Sequence, residues 1–352
     1  MIGEKENISQ KESKQYEEDE DDFIEREFDF LSDKYIIQGK LGYGTFSSVY
    51  RGICRETGMN VAIKGFVRTT SQLRILDELK VLQKLEGKNN CILLLNVHKQ
   101  EDNVKAVFPL IDACDFKDFL IKSTVVDVKS YMKCLINAVS HMHFHGYMHR
   151  DIKPGNFLYN MKEQQGFLID FGLAQKAGKH SPDVPKKDPV LFINTIVKQS
   201  KPPGYFENDS RPKMRASRAG TRGFRAPEIL FKSPYQTTAI DMWSVGVIFL
   251  CILTLNYPFF LSTEDIDGLV EIAQIFGHGQ MREIAKKHGR KWRCNIESIP
   301  EEKVGFRELV DKFNEDSFVE DDAIDLLSRL LELDPKKRIT AEEALKHNFL
   351  NK

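Results

Sequence analysis

The run His149-Arg150-Asp151-Ile152-Lys153-Pro154-Gly155-Asn156 places a carboxylate, an ammonium and a side-chain amide within six residues, Asp151 to Asn156. Such a loop can offer a base to an alcohol proton, a cation to a phosphate and an amide oxygen to a metal ion. Downstream, the apolar stretch Phe167-Leu168-Ile169 ends in Asp170-Phe171-Gly172, a carboxylate at a strand end followed by a turn glycine. Mg²⁺ binds through one or two protein oxygens plus nucleotide phosphates, and this supply suits it. Upstream, Leu41-Gly42-Tyr43-Gly44-Thr45-Phe46-Ser47-Ser48-Val49 lies between two strand-like runs. Glycines there let the backbone approach phosphates and aim N–H groups at them, although Gly-x-Gly alone equally suits a hairpin turn. Lys64 ends the apolar run Val61-Ala62-Ile63. It either faces solvent or needs an anionic partner; Glu78, on what reads as the polar side of the next helix, is that partner or a solvated charge. Taken together and in this order, the groups describe phosphoryl transfer by positioning and charge neutralisation.

The elements that must hold these residues divide unequally. Tyr35-Ile36-Ile37, Ser48-Val49-Tyr50 and Val61-Ala62-Ile63 read as strands, with folded structure beginning near Phe28 to Leu31. Residues 72–85 repeat Leu76, Leu79 and Leu82 at helical spacing, and two short apolar runs follow, Cys91–Val97 and Val104–Leu110. After residue 115 the period is helical: Leu135, Ala138, Val139 and Met142 form one stripe, ended by Gly146. A strand-rich first third and a helix-rich remainder predict an α+β protein of two lobes.

Composition narrows the class. With 41% hydrophobic and 29% charged residues over 352 positions, the chain can build packed cores and is neither collagen-like nor wholly disordered. Its most apolar stretch, Met242–Leu255, is shorter than the ~20 residues a membrane span needs. Residues 1–30 lack an apolar signal core. Six cysteines without CxxC spacing read as reduced thiols in a cytosolic or nuclear protein. The net charge of −1 conceals twelve acids against four bases in residues 1–29, leaving +7 on the rest. Residues 1–27 therefore read as an acidic disordered tail. Residues 176–213 hold six of the thirteen prolines and eight bases against four acids, which predicts a long insert with at most a short element near Val190–Val197.

The motifs, in this order, resemble those of the eukaryotic protein kinases over residues 35–350: Gly-rich loop, strand lysine, H-R-D-x-x-x-x-N, D-F-G, Ala226-Pro227-Glu228, then Asp241-Met242-Trp243-Ser244-Val245-Gly246 and Leu333-Asp334-Pro335 through Thr340. The resemblance implies the bilobal kinase fold, with an N-lobe over 35–111 and a C-lobe over 112–350. It implies ATP as donor and Mg²⁺ as cofactor. Asp151 would orient the substrate hydroxyl or accept its proton, Lys153 would steady the γ-phosphate, and Asn156 and Asp170 would hold Mg²⁺. Lys64 would contact the α- and β-phosphates and pair with Glu78. Leu41, Gly42, Gly44, Val49, Ala62 and Leu110 would line the nucleotide, with Phe108 as gatekeeper. Arg150 would face an anion in the activation segment, Glu228 and Arg338 would pair, and Asp241 would brace the catalytic loop. Lysine two places after Asp151 is the serine/threonine pattern. Ser47 replaces the third loop glycine.

The activation segment, Asp170 to Glu228, is 59 residues long and ends G-T-R-G-F-R-A-P-E. With R-D-I-K-P-G-N-F-L-Y, it is similar to the cell division cycle 7 kinases, which trigger replication origins, act on minichromosome maintenance helicase subunits and need a regulatory subunit. The insert 176–213 is the candidate docking element for that subunit, and the nucleus is the implied location, otherwise the cytoplasm. Lys213, Arg215, Arg218, Arg222 and Arg225 put five bases in thirteen residues. In kinases this stretch lies beneath the residue following the phosphoacceptor, so Arg218, Thr221, Arg222 and Arg225 are candidate substrate contacts. Guanidinium groups bind carboxylate and phosphate in bidentate fashion, which favours acidic or phosphorylated neighbours; some of these arginines could equally serve structure. A casein-kinase-like or cyclin-dependent-like enzyme and a catalytically dead scaffold are the alternatives. The arginine-rich segment argues against a proline-directed enzyme, and intact Lys64, Asp151, Asn156 and Asp170 against a dead one. No base-reading element appears, so no sequence-specific nucleic acid contact is expected.

Overall fold

The computed structural model describes residues 26–44, 47–178, 219–314 and 319–352. They form two compact units: the described residues up to Lys88 together with Ile92–Asp112, and Asn89–Cys91 together with Ala113–Lys352. Thr45, Phe46, Arg218, the tail to residue 25 and nearly all of the insert, including Val190–Val197, lie outside the described residues.

The first unit is a five-stranded antiparallel sheet in the order β1-β2-β3-β5-β4, built from β1 (Tyr35–Tyr43), β2 (Ser47–Cys54), β3 (Asn60–Phe66), β4 (Asn96–Gln100) and β5 (Asn103–Pro109). Helix α1 (Gln72–Leu85) separates β3 from β4. Because side chains alternate along a strand, register divides the sheet into two faces. Tyr50, Ile63 and Val107 pack with Phe28, Leu31, Tyr35 and Val61 on one. Phe66, Val104 and Ala106 pack with Ile75 of α1 on the other. Val49, Ala62 and Lys64 share that second face.

Helix α1 has the expected bounds but not the expected face. Ser71 caps its start by accepting from the Arg74 N–H, and its buried stripe is Ile75, Glu78, Val81, Leu82 and Leu85. Leu76 is exposed and Glu78 is buried, which reverses their expected sides. An ion-pair partner, not apolarity, turns Glu78 inward. Of the apolar run Cys91–Val97, only Asn96 and Val97 lie in β4. Ordered structure begins earlier than the expected tail boundary: the Glu27 carboxylate accepts from Lys105 Nζ at 2.6 Å.

In the second unit, α2 (Phe116–Lys122) and α3 (Val125–Phe144) lead to β6 (Tyr147–Met148), a 3₁₀ turn at Pro154–Asn156, the hairpin β7 (Phe157–Asn160) and β8 (Gln165–Leu168), and β9 (Gln175–Lys176), which pairs with β6. Thr124 and Asp127 form a capping box on α3, whose stripe of Leu135, Ala138, Val139 and Met142 is buried as expected. Next come α4 (Pro227–Leu230), α5 (Ala239–Thr254), α6 (Asp265–Lys287), α7 (Phe306–Phe313), α8 (Asp321–Leu330), α9 (Ala341–Leu345) and α10 (Asn348–Asn351). The apolar run 242–255 becomes α5, buried on every side, which is why it is apolar all round. Among the described residues no helix is long and apolar enough to cross a membrane. All six cysteines are free thiols, and burial pushes Cys91 and Cys251 up to about 12.

Candidate active site

The loop between β6 and β7 is clamped from behind by Asp241 on α5. That carboxylate accepts from the backbone N–H of His149 at 2.9 Å and of Arg150 at 2.8 Å, and from His143 Nε2 at 2.9 Å. Burial pushes the Asp241 carboxyl up, but the hydrogen bond and charge of His143 and the Arg150 N–H outweigh it and hold it below its ordinary value. His149 ties the loop to the strand after it: Nδ1 accepts from the Asp151 N–H at 3.3 Å while Nε2 lies 3.0 Å from the Ile169 carbonyl. One ring nitrogen accepting and the other donating assigns the neutral Nε2–H tautomer. Its ring also meets Phe171 edge-on at 5.4 Å.

So held, Asp151 is the meeting point of donors from three residues. Its Oδ1 accepts from the Thr221 N–H at 2.7 Å and from the Thr221 hydroxyl at 2.6 Å. Asn156 Nδ2 donates to Oδ2 at 3.0 Å and to the Asp151 carbonyl at 2.8 Å, and Lys153 Nζ stands 3.1 Å from Oδ2. Lys153 also donates to Thr221 Oγ1 at 2.8 Å, so that hydroxyl accepts one hydrogen bond and donates another. Gly220 permits the approach: its φ is +103°, and a Cβ there would lie 2.6 Å from the Arg150 carbonyl oxygen. With Nδ2 of Asn156 directed at Asp151, its amide oxygen is the end that can bind a cation. The Ile169 N–H donates to the Asn156 carbonyl at 2.9 Å, which brings Asp170 one residue away. An amide oxygen and a carboxylate are hard donors, and the pair fits Mg²⁺.

In the sheet unit, Lys64 Nζ donates to Glu78 Oε1 at 2.6 Å, and both side chains are buried. Gly42 pairs with Val49, the Gly44 N–H donates to the Ser47 carbonyl at 2.7 Å, and the Leu110 N–H to the Asn60 carbonyl at 3.2 Å. Leu41 is exposed, while Val49, Ala62 and Leu110 are half-buried.

The three described candidates for substrate contact differ. Thr221 belongs to the Asp151 cluster. Arg222 is exposed. Arg225 is engaged internally: Nη1 donates to Asp265 Oδ1 at 3.0 Å and Nε to the Gly220 carbonyl at 2.9 Å. Glu228 and Arg338 pair at 2.8 and 3.1 Å in the core. His143, Asp265 and Gln175, which accepts from Arg150 Nη1 at 2.7 Å, were not signalled by any motif. Their partners lie 25 to 98 residues away in sequence, beyond the reach of local spacing.

The protein kinase domain family matches residues 35–350. Probable cell division control protein 7 homolog 2 of Encephalitozoon cuniculi is 51% identical over 331 residues, covering 93% of this chain and 94% of the relative. The chain belongs to the cell division cycle 7 family of protein kinases. The cell cycle serine/threonine-protein kinase hsk1 of Schizosaccharomyces pombe is 36% identical over 377 residues, 93% of this chain and 74% of that one. The human cell division cycle 7-related protein kinase is 26% identical over 517 residues, 91% and 90% of the two chains. This kinase is thus a serine/threonine protein kinase with the α+β kinase fold, transferring phosphate from ATP to protein substrates.

Proposed function

We propose that this kinase phosphorylates Ser or Thr followed by acidic or phosphorylated residues, and so promotes replication initiation and cell cycle progression. The observation that carries the catalytic reading is the Asp151 carboxylate gathered by Lys153, Asn156 and Thr221. Asp151 orients the substrate hydroxyl and takes up its proton. Lys153, 3.1 Å from that carboxylate, offsets charge on the transferred phosphoryl group. Lys64, aligned by Glu78, contacts the α- and β-phosphates, while Leu41, Gly42, Gly44, Val49, Ala62 and Leu110 line the nucleotide. Asn156 and Asp170 would hold Mg²⁺, which when bound neutralises phosphate charge. Exposed Arg222, with Arg218, supplies the cationic ground for an acidic neighbour.

The relatives' names place them in the cell cycle, and family resemblance supports minichromosome maintenance subunits as substrates, a regulatory subunit as activator and the nucleus as location. The basic, proline-rich 176–213 stretch is the proposed docking element, and the acidic tail is proposed to stop short of Glu27. The test is phosphate transfer by the full chain, with ATP and Mg²⁺, to Ser peptides bearing acidic or basic flanks. Asp151→Asn should lower kcat by about 10²–10⁴-fold. Preference for basic flanks would reject the acidic-context reading, and full activity of Asp151→Asn would reject the catalytic assignment.

A further inference from the structure

Of the two described arginines that follow Thr221, Arg222 is exposed and Arg225 is matched to a nearby carboxylate. Asp265, first residue of α6, lies 3.0 Å from its Nη1, with side chains only 15% and 8% exposed. The Gly220 carbonyl takes Nε at 2.9 Å. Gly220 precedes Thr221, whose hydroxyl and N–H both bind Asp151, so the pair is one peptide unit from the proposed base. A shallow hollow bounded by Arg222, Gly223, Phe260, Ser262 and Gly268 opens beside it. Two further carboxylates line that hollow, Glu264 and Glu271; Glu271 accepts from the N–H groups of Leu261 and Ser262. Local charge around Arg225 is therefore balanced or negative. Arg222, by contrast, is exposed to solvent.

We propose that Asp265 is a specificity-setting residue: an internal counter-anion that neutralises Arg225, mutes its attraction for a substrate acid and leaves that attraction to Arg222. The inference deepens the acidic-context reading and rests on it. A substrate carboxylate approaching Arg225 meets a guanidinium whose charge is already satisfied by a buried acceptor, and it is repelled by that acceptor. Charge-assisted bonds weaken when the cation is shared between two anions in a partly desolvated setting. Asp265 acts through Arg225 and touches no reacting atom, so it is a positioning residue for selectivity.

The readout is the ratio of kcat/KM for a peptide with Asp after the acceptor Ser to that for the same peptide with Ala there, using the full chain. Asp265→Asn should raise this ratio about 3- to 10-fold and steepen its fall with added NaCl. Asp265→Glu, which restores the charge, should return the ratio to near the wild-type value. A purely structural role for Asp265 would lower both rates together and leave the ratio alone, and an unchanged or reduced ratio in Asp265→Asn overturns the proposal. Should that variant fail to fold, the double variant Arg225→Leu/Asp265→Asn decides, since it removes the pair as a unit. A wild-type ratio there supports the muting of Arg225, and a drop of more than about 3-fold refutes it. The wild-type ratio itself reports on the acidic-context reading, and its change on substitution reports on Asp265, so either idea can fail alone.

Discussion

Two lysines on neighbouring strands of the small sheet have matching geometry and opposite employment. Lys64 on β3 reaches Glu78 at 2.6 Å, and Lys105 on β5 reaches Glu27 at 2.6 Å; all four side chains are buried or nearly so. In register, Lys64 stands opposite Ala106 and Lys105 opposite Gly65, so the two ammonium groups leave the sheet on different faces. Lys64 shares its face with Val49 and Ala62, the proposed nucleotide residues. Lys105 lies 4.5 Å from the centre of the Phe28 ring, and the Asn103 side chain binds the Glu27 carbonyl at 3.0 Å. Its seat depends on the absence of a side chain at Gly65, where a Cβ would approach Nζ to 2.8 Å. Phe28 in turn meets Tyr50 edge-on at 4.7 Å. A short buried Lys–Glu contact is thus no mark of catalysis by itself. What surrounds the pair decides: one shares its face with Val49 and Ala62, the proposed nucleotide-lining residues, and the other staples the entering chain to the sheet.

Substitution should separate the two. The largest effect belongs to Lys64→Met, which should cut kcat/KM by at least about 100-fold at temperatures where the variant is fully folded. Activity retained within a few-fold would remove Lys64 from the machinery and dissolve the contrast. Lys105→Met comes next. It leaves the Glu27 carboxylate with Arg68, 3.6 Å away, as its remaining cation and should cost about 1–3 kcal/mol in denaturant unfolding, with activity per folded molecule preserved. Because removing a buried pair as a unit is often neutral, Lys105→Met/Glu27→Leu should recover most of that loss. If instead the double variant were as unstable as the single one, Glu27 would matter for something other than its partner.

The contrast also marks how far sequence reasoning reached. Bounds of α1, the α3 stripe and the order of the chemistry were legible because they depend on local period and spacing: Leu135 to Met142 repeats within one helix, and Asp151 to Asn156 spans one loop. Three things were not. Leu76 and Leu79 outvoted Ile75 in the apparent stripe of α1, and local period left Glu78 either a solvated charge or the partner of Lys64, a choice that only the family resemblance made. Glu27 was absorbed into a run of acids that repel one another, and what distinguishes it are its cationic partners far along the chain, Lys105 foremost, 78 residues on. Arg225 counted as one of five bases because Asp265 lies forty residues downstream. In each case, the missing information was the identity of a long-range counter-charge. Charge density along a chain reports what is present, whereas function depends on which charges remain uncompensated after folding.

The smallest expected effect tests that same point on Lys105. Burial lowers its ammonium below the ordinary lysine value, more than the Glu27 hydrogen bond and charge raise it; Arg68 adds to the lowering. Folded Lys105 therefore releases its proton at a lower pH than the unfolded chain does. Between those two points the unfolded state binds more protons, so the contribution of this residue to stability rises with pH, and below them it is constant. Denaturant midpoints of the wild type and of Lys105→Met, compared from neutral pH towards the ordinary lysine range, should diverge slightly in favour of the wild type as pH increases. Convergence would mean that attraction to Glu27 outweighs desolvation, which would make this pair a net stabilising ion pair and not a staple held in place by its neighbours. Lys64 cannot serve as the control in that comparison, since it is itself a proposed nucleotide contact; the exposed pair Lys122–Asp118, at 2.9 Å on α2, can. Lys122→Met should move the denaturant midpoint little, because water screens that exposed pair.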